Sequence, residues 1–119
     1  MAEHNKLGAW GERKAAELLE EKGYEILERD WHFGHRDLDI VAMKDGVLVI
    51  VEVKTRRNND FLEPEQAVDR RKIKSLLLAA NAFVKLRGID AEIRFDIISV
   101  IGTDDSCCEI RHMEDAFTL

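Results

Sequence analysis

The chain is poor in the residues that mark secreted, membrane-bound or low-complexity proteins. Its 119 residues include one proline, two cysteines and no run of about 18 apolar residues, the length that a membrane-spanning helix needs. The N-terminal residues lack the apolar segment of a signal peptide. Cys107 and Cys108 are adjacent, which is neither a disulfide framework nor the spacing of a zinc site, so buried or idle thiols are expected. These absences predict a soluble cytoplasmic protein without a membrane partner.

Positive charge is also scarce. The formal net charge is −6, which argues against a general nucleic-acid binder, because non-specific affinity depends on neutralising phosphates. The charge is unevenly distributed, however. Residues 54–74 carry seven basic and four acidic side chains, a local excess of three positive charges. With 45% hydrophobic residues, the chain is long enough to form one domain over residues 1–119 with a substantial core.

The most distinctive stretch is residues 37–54. Two runs rich in β-branched residues flank Asp45-Gly46, the dipeptide that a two-residue type I′ turn prefers because both positions need positive φ. With these two residues as the turn, Lys44 faces Val47 and the numbers of every opposed pair sum to 91. Because side chains alternate between the two faces of the hairpin, one face carries Lys44 and a set of apolar residues. These are Leu38, Ile40, Ala42, Val47, Val49, Val51 and Val53.

The same register brings two carboxylates together on the other face. Asp39 faces Glu52 at a non-hydrogen-bonded position, where Cβ atoms lie roughly 4.5–5.5 Å apart. Two charges at this separation repel by about 3 kcal/mol at an effective dielectric constant near 20. A divalent cation with oxygen ligands, Mg²⁺ or Mn²⁺, would explain the pair. Lys54 lies on the same face, where its charge would help an attacking hydroxide or a phosphate oxygen.

Periodicity and turn residues predict the remaining elements. They are a helix from about residue 5 to 22, a strand over 24–31, a helix from Pro64 to near Gly88, an apolar strand over 94–101 and a short strand over 107–112. A strand, a helix and a second strand in succession imply a right-handed crossover, so 94–101 should run parallel to the strand that carries Glu52. The predicted fold is α/β, a mixed sheet in the order α-β-β-β-α-β-β with helices against it.

Four basic residues near the carboxylates are candidate phosphate contacts. Arg56 and Arg57 begin the polar segment that follows the strand carrying Glu52, a typical place for substrate contacts. Arg71 and Lys72 lie near the start of the second helix, where the helix dipole also favours phosphate. A solvated basic turn and a solvated helix face are the alternatives.

Three further polar residues have two interpretations each. Glu12 flanks the apolar stripe of the first helix, where small neighbours would let another backbone approach, but the residues alone favour a solvated helix glutamate. His32 and His35 precede the hairpin and would either contact metal or phosphate or simply be solvated.

Short motifs recur along nearly the whole chain in a fixed order. They are Gly8-x-x-Gly11-Glu12 with Ala15-Ala16, Gly23-Tyr24, Ile26-Leu27, Leu38-Asp39-Ile40-Val41-Ala42, Val51-Glu52-Val53-Lys54-Thr55-Arg56, Ala67-Val68 with Lys72, Arg94-Phe95-Asp96 and Ala116-Phe117. In this order they resemble the YraN family of uncharacterised bacterial proteins, which is similar to archaeal Holliday-junction resolvases. Asp39 with Glu52-Val53-Lys54 resembles the motif of the PD-(D/E)XK nuclease superfamily.

The resemblance implies a restriction-endonuclease-like core and an Mg²⁺-dependent endonuclease that hydrolyses DNA, including branched or structured DNA. It maps the site onto Glu12, Asp39, Glu52 and Lys54, with the carbonyl of Val53 as a further metal ligand. Asp39 and Glu52 would hold Mg²⁺ or Mn²⁺, and Lys54 would orient or deprotonate the attacking water.

One departure from the family pattern concerns the residues before the motif aspartate. Where the family usually has Gly-Glu, this chain has Arg36-Asp37. The shorter Asp37 keeps the charge but not the reach, so an auxiliary role there is in doubt. The register instead pairs Asp37 with Lys54 as a structural ion pair.

Two other functions remain open from the sequence. The domain would bind DNA or RNA without cleaving it if its acidic site were vestigial. It would be a structural or protein-interaction domain if Lys54 and either Arg94 or Arg36 merely neutralised the carboxylates. The sequence leaves undecided the form of the substrate, endonucleolytic against exonucleolytic cleavage, and whether the chain forms a homodimer.

Overall fold

The computed structural model describes residues 2–57 and 68–117, and of residues 2–5 the backbone alone. The described chain forms two helices and five strands, in the order α-β-β-β-α-β-β. Their bounds are α1 Ala2–Glu21, β1 Glu25–Phe33, β2 Arg36–Lys44, β3 Val47–Arg56, α2 Arg70–Arg87, β4 Glu92–Asp104 and β5 Cys107–Met113.

The five strands form one mixed sheet in the spatial order β1-β2-β3-β4-β5. Strands β3 and β4 are parallel, and the other neighbouring pairs are antiparallel. The predicted mixed α/β sheet and the parallel strand after α2 are therefore confirmed.

Each face of the sheet carries one helix and one hydrophobic core. Helix α2 packs on one face, in a core that includes Leu38, Val41, Leu48, Ile50, Leu76, Phe83, Phe95 and Ile97. Helix α1 packs on the other, in a core that includes Ala15, Ala16, Leu19, Ile40, Val49, Val51, Ile98 and Val100. Since β4 contributes to both cores, the prediction that its apolar run is covered on both faces is confirmed.

The predicted hairpin register holds from the turn to Ile40. Lys44 pairs with Val47 and Ile40 with Val51, and both turn residues have positive φ, 52° at Asp45 and 79° at Gly46. The predicted face of Leu38 is wrong, because Leu38 lies in the core under α2 whereas Ile40 lies in the core under α1.

The regular pairing of β2 with β3 ends at Ile40, so the turn register no longer fixes the face of Leu38. In the neighbouring strand, Arg29 pairs with Ile40 and Trp31 with Leu38, so Asp30 stands opposite Asp39. Asp30 has a φ of 51°, an uncommon backbone angle for a residue other than glycine.

Helix α2 begins at Arg70. Asp69 has extended backbone angles and its side chain accepts a hydrogen bond from the Lys72 N–H, the geometry of an N-cap. The predicted continuous helix from Pro64 is therefore wrong, although Pro64 itself lies outside the described residues. The predicted stop at Gly88 is confirmed, since Gly88 has a φ of 63° and caps the C-terminus.

No helix in the described part of the chain has the length and apolar character that crossing a membrane requires. Cys107 and Cys108 are free thiols, one exposed and one half-buried.

Candidate metal and phosphate site

The site forms where β2 and β3 separate. The last pair recorded between these strands is Ile40 with Val51. Two residues further along β3, the Val53 N–H donates to Oδ2 of Asp39 at 2.9 Å, so a side-chain carboxylate takes the place of a strand carbonyl. This contact fixes Asp39 beside Glu52 even though the regular register does not continue to that pair.

Glu52 is a buried carboxylate with one unsatisfied oxygen. Its side chain is 3% exposed, and Oε2 lies 3.3 Å from Nζ of Lys54 and 3.5 Å from Nζ of Lys72. No donor among the described residues reaches Oε1. A buried carboxylate oxygen without a partner costs free energy, and a bound cation would satisfy it. The carboxylates of Asp39 and Glu52 offer the hard oxygens that Mg²⁺ and Mn²⁺ prefer.

The protonation of Asp39 reflects the proximity of the two carboxylates. Burial and, after it, the negative charge of Glu52 raise the pKa of Asp39 to about 8, and the Val53 N–H and Lys72 only partly offset them. Around neutral pH the metal-free pair therefore tends to keep a proton, which a divalent cation would displace.

Lys72 reaches this pair from α2. In addition to its contact with Glu52, its Nζ lies 3.9 Å from Oδ1 of Asp37. Burial lowers the pKa of Lys72, but the charges of Glu52, Asp37 and Asp39 outweigh it and raise the pKa, so the ammonium stays protonated.

The predicted ion pair between Asp37 and Lys54 is wrong. Lys54 contacts Glu52 and Asp37 contacts Lys72, because the strands diverge before the register reaches Asp37. The sequence placed Lys72 among the phosphate contacts but gave no sign of its contact with Glu52.

Glu12, from α1, lines a cavity beside Asp39. The cavity has a volume of about 590 Å³ and is lined by Glu12, Asp39, Val53 and Lys54, together with Asp30 and Asp37. Oε1 of Glu12 accepts a hydrogen bond from Nε of Arg29 at 3.2 Å. Burial raises the pKa of Glu12, and Arg29 only partly offsets this.

The approach of α1 to β3 depends on a missing side chain. A Cβ at Gly11 would overlap the side chain of Thr55, whereas a Cβ at Gly8 would meet nothing within 4 Å. Gly11 therefore lets the helix lie against the strand that carries Glu52 and Lys54, and it sets the position of Glu12.

Asp30 also lines this cavity, which the sequence did not predict. Asp30, His32 and Asp37 each place one ligand atom within 4.8 Å of the others, and Nε2 of His32 lies 3.2 Å from Oδ1 of Asp30. The positive φ that brings Asp30 to the cavity has no clear sequence signal.

The four predicted phosphate contacts do not share one surface. Arg71 and Lys72 line a cavity of about 450 Å³ at the start of α2 with His35. Arg57 lines a different cavity, of about 700 Å³, beside α1. Arg56 lies at the end of β3, paired in the sheet with Ile101.

Arg94 belongs to a separate buried network rather than to the carboxylate pair. Its guanidinium donates twice to Asp96, at 2.8 and 2.9 Å, and once to the Tyr24 hydroxyl, at 2.6 Å. Nε2 of His112 lies 2.7 Å from Asp96, and the Asp115 N–H donates to Asp96 at 3.0 Å. The prediction that Arg94 could neutralise the carboxylates is therefore wrong. The sequence signal for this network is an arginine and an aspartate two residues apart in an apolar strand.

Comparison with known proteins identifies relatives along nearly the whole chain. The model of an uncharacterised protein family, UPF0102, matches residues 11–100. A UPF0102 protein of Bacteroides thetaiotaomicron is 55% identical over 98% of this chain and 96% of its own length. Similar proteins of Flavobacterium psychrophilum and Porphyromonas gingivalis are 49% and 46% identical, over 98% and 100% of this chain and 98% and 89% of their own lengths.

Proposed function

The chain belongs to the UPF0102 family, which is the YraN family that its motifs resemble, and we propose that it is a metal-dependent endonuclease with a PD-(D/E)XK site acting on DNA, including branched or structured DNA. The buried Glu52 carboxylate carries this proposal, because one of its oxygens has no donor among the described residues and Asp39 adjoins it. A fold that only needed stability would gain from an uncharged pair at this place.

Each residue has a distinct role in the proposed reaction. Asp39, Glu52 and the Val53 carbonyl would hold Mg²⁺ or Mn²⁺, and Glu12 would supply a carboxylate from the α1 side of the cavity. The bound ion would lower the pKa of a water molecule and polarise the phosphate oxygen. Lys54 would orient the attacking water and stabilise the added negative charge on the phosphate. Lys72 would offset the charge of Glu52 from the α2 side.

Metal binding can be tested without knowing the substrate. We expect Mn²⁺ titrated into the wild-type protein to give a saturable calorimetric signal that is absent in Glu52→Ala and in the closer isostere Glu52→Gln. Glu20→Gln, which changes an exposed glutamate of α1, is the matched control and should bind like the wild type. Equal binding by all variants would contradict the assignment of Glu52.

Cleavage is the second test. A panel of single-stranded, double-stranded, flapped and four-way-junction DNA, with RNA counterparts, should yield products that require Mg²⁺ or Mn²⁺. Glu52→Gln and Lys54→Ala should each reduce the rate at least 100-fold, the usual scale for removing a group that acts in the transition state. Cleavage that is unchanged in both variants would overturn the proposal.

A nucleic-acid-binding module that does not cleave is the second candidate. The observation that favours it is the contact of both Lys54 and Lys72 with Glu52, because two ammonium groups can neutralise this carboxylate without a metal ion. Salt-dependent binding of branched or single-stranded DNA, without Mn²⁺ binding and without products, would select this function.

A further inference from the structure

The cavity at the start of α2 concentrates positive charge in a chain of net charge −6. Arg36 from β2 and three cationic residues from the first two turns of α2, Arg71, Lys72 and Lys74, line its 450 Å³. Among the described lining residues there is one carboxylate, that of Asp69. Such a concentration attracts anions.

The single carboxylate is already engaged. Oδ1 of Asp69 accepts the Lys72 N–H at 2.9 Å as the N-cap of α2. Arg71 and Lys74 are exposed, and within residues 6–57 and 68–117 no ion pair is recorded for either. Within the described residues, Arg71 and Lys74 therefore have no carboxylate that competes with an incoming anion, whereas Lys72 also contacts Glu52 and Asp37.

Arg36 carries a buried hydrogen-bond donor, its Nε, that lacks an acceptor among the described residues. A buried donor without an acceptor costs free energy, and a guanidinium is suited to two parallel hydrogen bonds with phosphate oxygens. The hydroxyl of Ser75, in the same cavity, offers a further donor.

Lys72 connects this cavity to the carboxylate pair. The side chain that lines the cavity also contacts Glu52 at 3.5 Å and Asp37 at 3.9 Å. An anion in the cavity would therefore lie beside the proposed point of cleavage and share Lys72 with it.

We propose that this cavity binds a phosphate group of the nucleic-acid strand, adjacent to the phosphate that is cleaved. The cavity, defined by Arg36, Arg71, Lys72, Lys74 and Ser75, would hold the strand in register by its phosphate without reading sequence. The identity of the ligand as nucleic acid rests on the proposed function, whereas binding of phosphate depends only on the cavity.

Inorganic phosphate is the direct probe. In metal-free solution with EDTA and constant ionic strength, phosphate titrated into the ¹⁵N-labelled protein should shift the Arg36 Nε–H signal and the amide signals of residues 71–75 saturably. Lys74→Ala and Arg71→Ala, which change exposed side chains, should each weaken binding roughly tenfold, the size expected for losing one charge-assisted hydrogen bond. Lys85→Ala, at the other end of the same helix, is the matched control and should bind phosphate like the wild type.

Two outcomes would overturn the proposal. One is the absence of saturable shifts over a millimolar range. The other is equal weakening by Lys74→Ala and Lys85→Ala, which would indicate diffuse attraction by the surface.

Trinucleotides with and without a 5′ phosphate then identify which kind of phosphate the cavity binds. Shifts with both would assign an internal phosphodiester, and shifts with the phosphorylated form alone would assign a terminal phosphate.

The phosphate titration tests the cavity separately from the metal site. Phosphate binding with neither Mn²⁺ binding nor metal-dependent products would leave the cavity assigned and overturn the nuclease. Mn²⁺-dependent cleavage without phosphate binding would overturn the cavity and leave the nuclease assigned.

Discussion

At the scale of single residues, the molecule keeps two kinds of buried carboxylate. Asp96 is fully buried and surrounded by donors from Arg94, His112 and the Asp115 main chain. Glu52 is almost as buried, yet one of its oxygens lacks a donor among the described residues. The first arrangement stabilises an ionised carboxylate, and the second is the feature on which the proposed metal site rests.

The pH dependence of stability should show the repulsion at Asp39. Its pKa is about 8 in the folded protein against 3.8 for an ordinary aspartate. Because the folded state holds this proton more tightly, the contribution of Asp39 is fully present below pH 4 and is lost as pH rises to about 8. Asp39→Asn cannot ionise, so without metal it should be more stable than the wild type by about 1–3 kcal/mol at pH 8, and by less towards pH 4.

Urea denaturation in EDTA at several pH values measures this difference. Adding Mn²⁺ should reverse the order, because the ion stabilises only a protein that binds it. Asp90→Asn, at an exposed position, should follow the wild type. Parallel pH profiles for Asp39→Asn and the wild type would contradict the assignment.

The contribution of Asp96 to the free energy of unfolding should depend on pH in the opposite direction. Burial opposes its ionised form, but the hydrogen bonds from His112, Arg94 and the Asp115 N–H outweigh burial and lower its pKa to about 2. Its contribution to stability is therefore present above pH 3.8 and is lost as pH falls towards 2. Asp96→Asn should lower the free energy of unfolding by about 2 kcal/mol at pH 7, the equivalent of a shift near two pKa units.

This loss should shrink between pH 4 and pH 2, as measured by urea denaturation. Asp90→Asn again serves as the exposed control. A destabilisation that stays constant down to pH 2 would show that the effect comes from packing rather than from the charge.

At the scale of secondary-structure elements, the sequence predicts features that depend on neighbouring residues, such as turns and helix caps. It does not predict contacts between elements that are distant in the chain. The Asp45-Gly46 turn determined the hairpin register, so Asp39 and Glu52 could be placed together from sequence. The face of Leu38 could not, because the regular pairing of β2 with β3 ends at Ile40 and no local signal marks that end. The partners of Arg94 and of Lys72 likewise depend on how distant elements pack. For α2, the capping residue Asp69 was a better signal of its start than Pro64.

The packing of α1 on β3 gives an element-scale prediction. Gly11→Ala would place a Cβ against Thr55 and should destabilise the protein by roughly 1–3 kcal/mol, the usual cost of an added methyl group in a tight contact. Since Thr55 follows Lys54, the same substitution should also weaken Mn²⁺ binding. Thermal denaturation and calorimetry measure the two effects.

Gly8→Ala is a matched control on the same helix. Its Cβ would meet nothing, so the gain in helix propensity should leave the protein unchanged or stabilise it by up to about 1 kcal/mol. If the two alanine variants behave alike, the close approach of α1 to β3 is not what positions the site.

At the scale of the whole molecule, the charge distribution would both repel and attract a nucleic-acid strand. The net charge of −6 repels phosphates at long range, whereas the cationic cavity beside the carboxylates attracts them at short range. Binding should therefore be confined to this part of the surface, and few phosphates should be neutralised.

The salt dependence of binding tests this distribution. For a single-stranded oligonucleotide in EDTA, the logarithm of affinity should fall against the logarithm of salt concentration with a slope of about −2 to −3, as expected for three or four neutralised phosphates. Arg71→Ala should reduce the slope by about 0.7 and Lys85→Ala should leave it unchanged. Fluorescence anisotropy gives the slope, and a steep slope that is insensitive to Arg71 would indicate binding elsewhere.

The strand order also has a consequence for how the molecule folds. Strands β1, β2 and β3 pair in chain order through short turns, whereas the β3–β4 pair joins residues as distant as Val47 and Glu92. Closing the short loops costs less conformational entropy, so we expect the three-stranded meander to form first. Asp39 and Glu52 would then meet while water still surrounds them, and β4 and α2 would enclose a pair that has already formed.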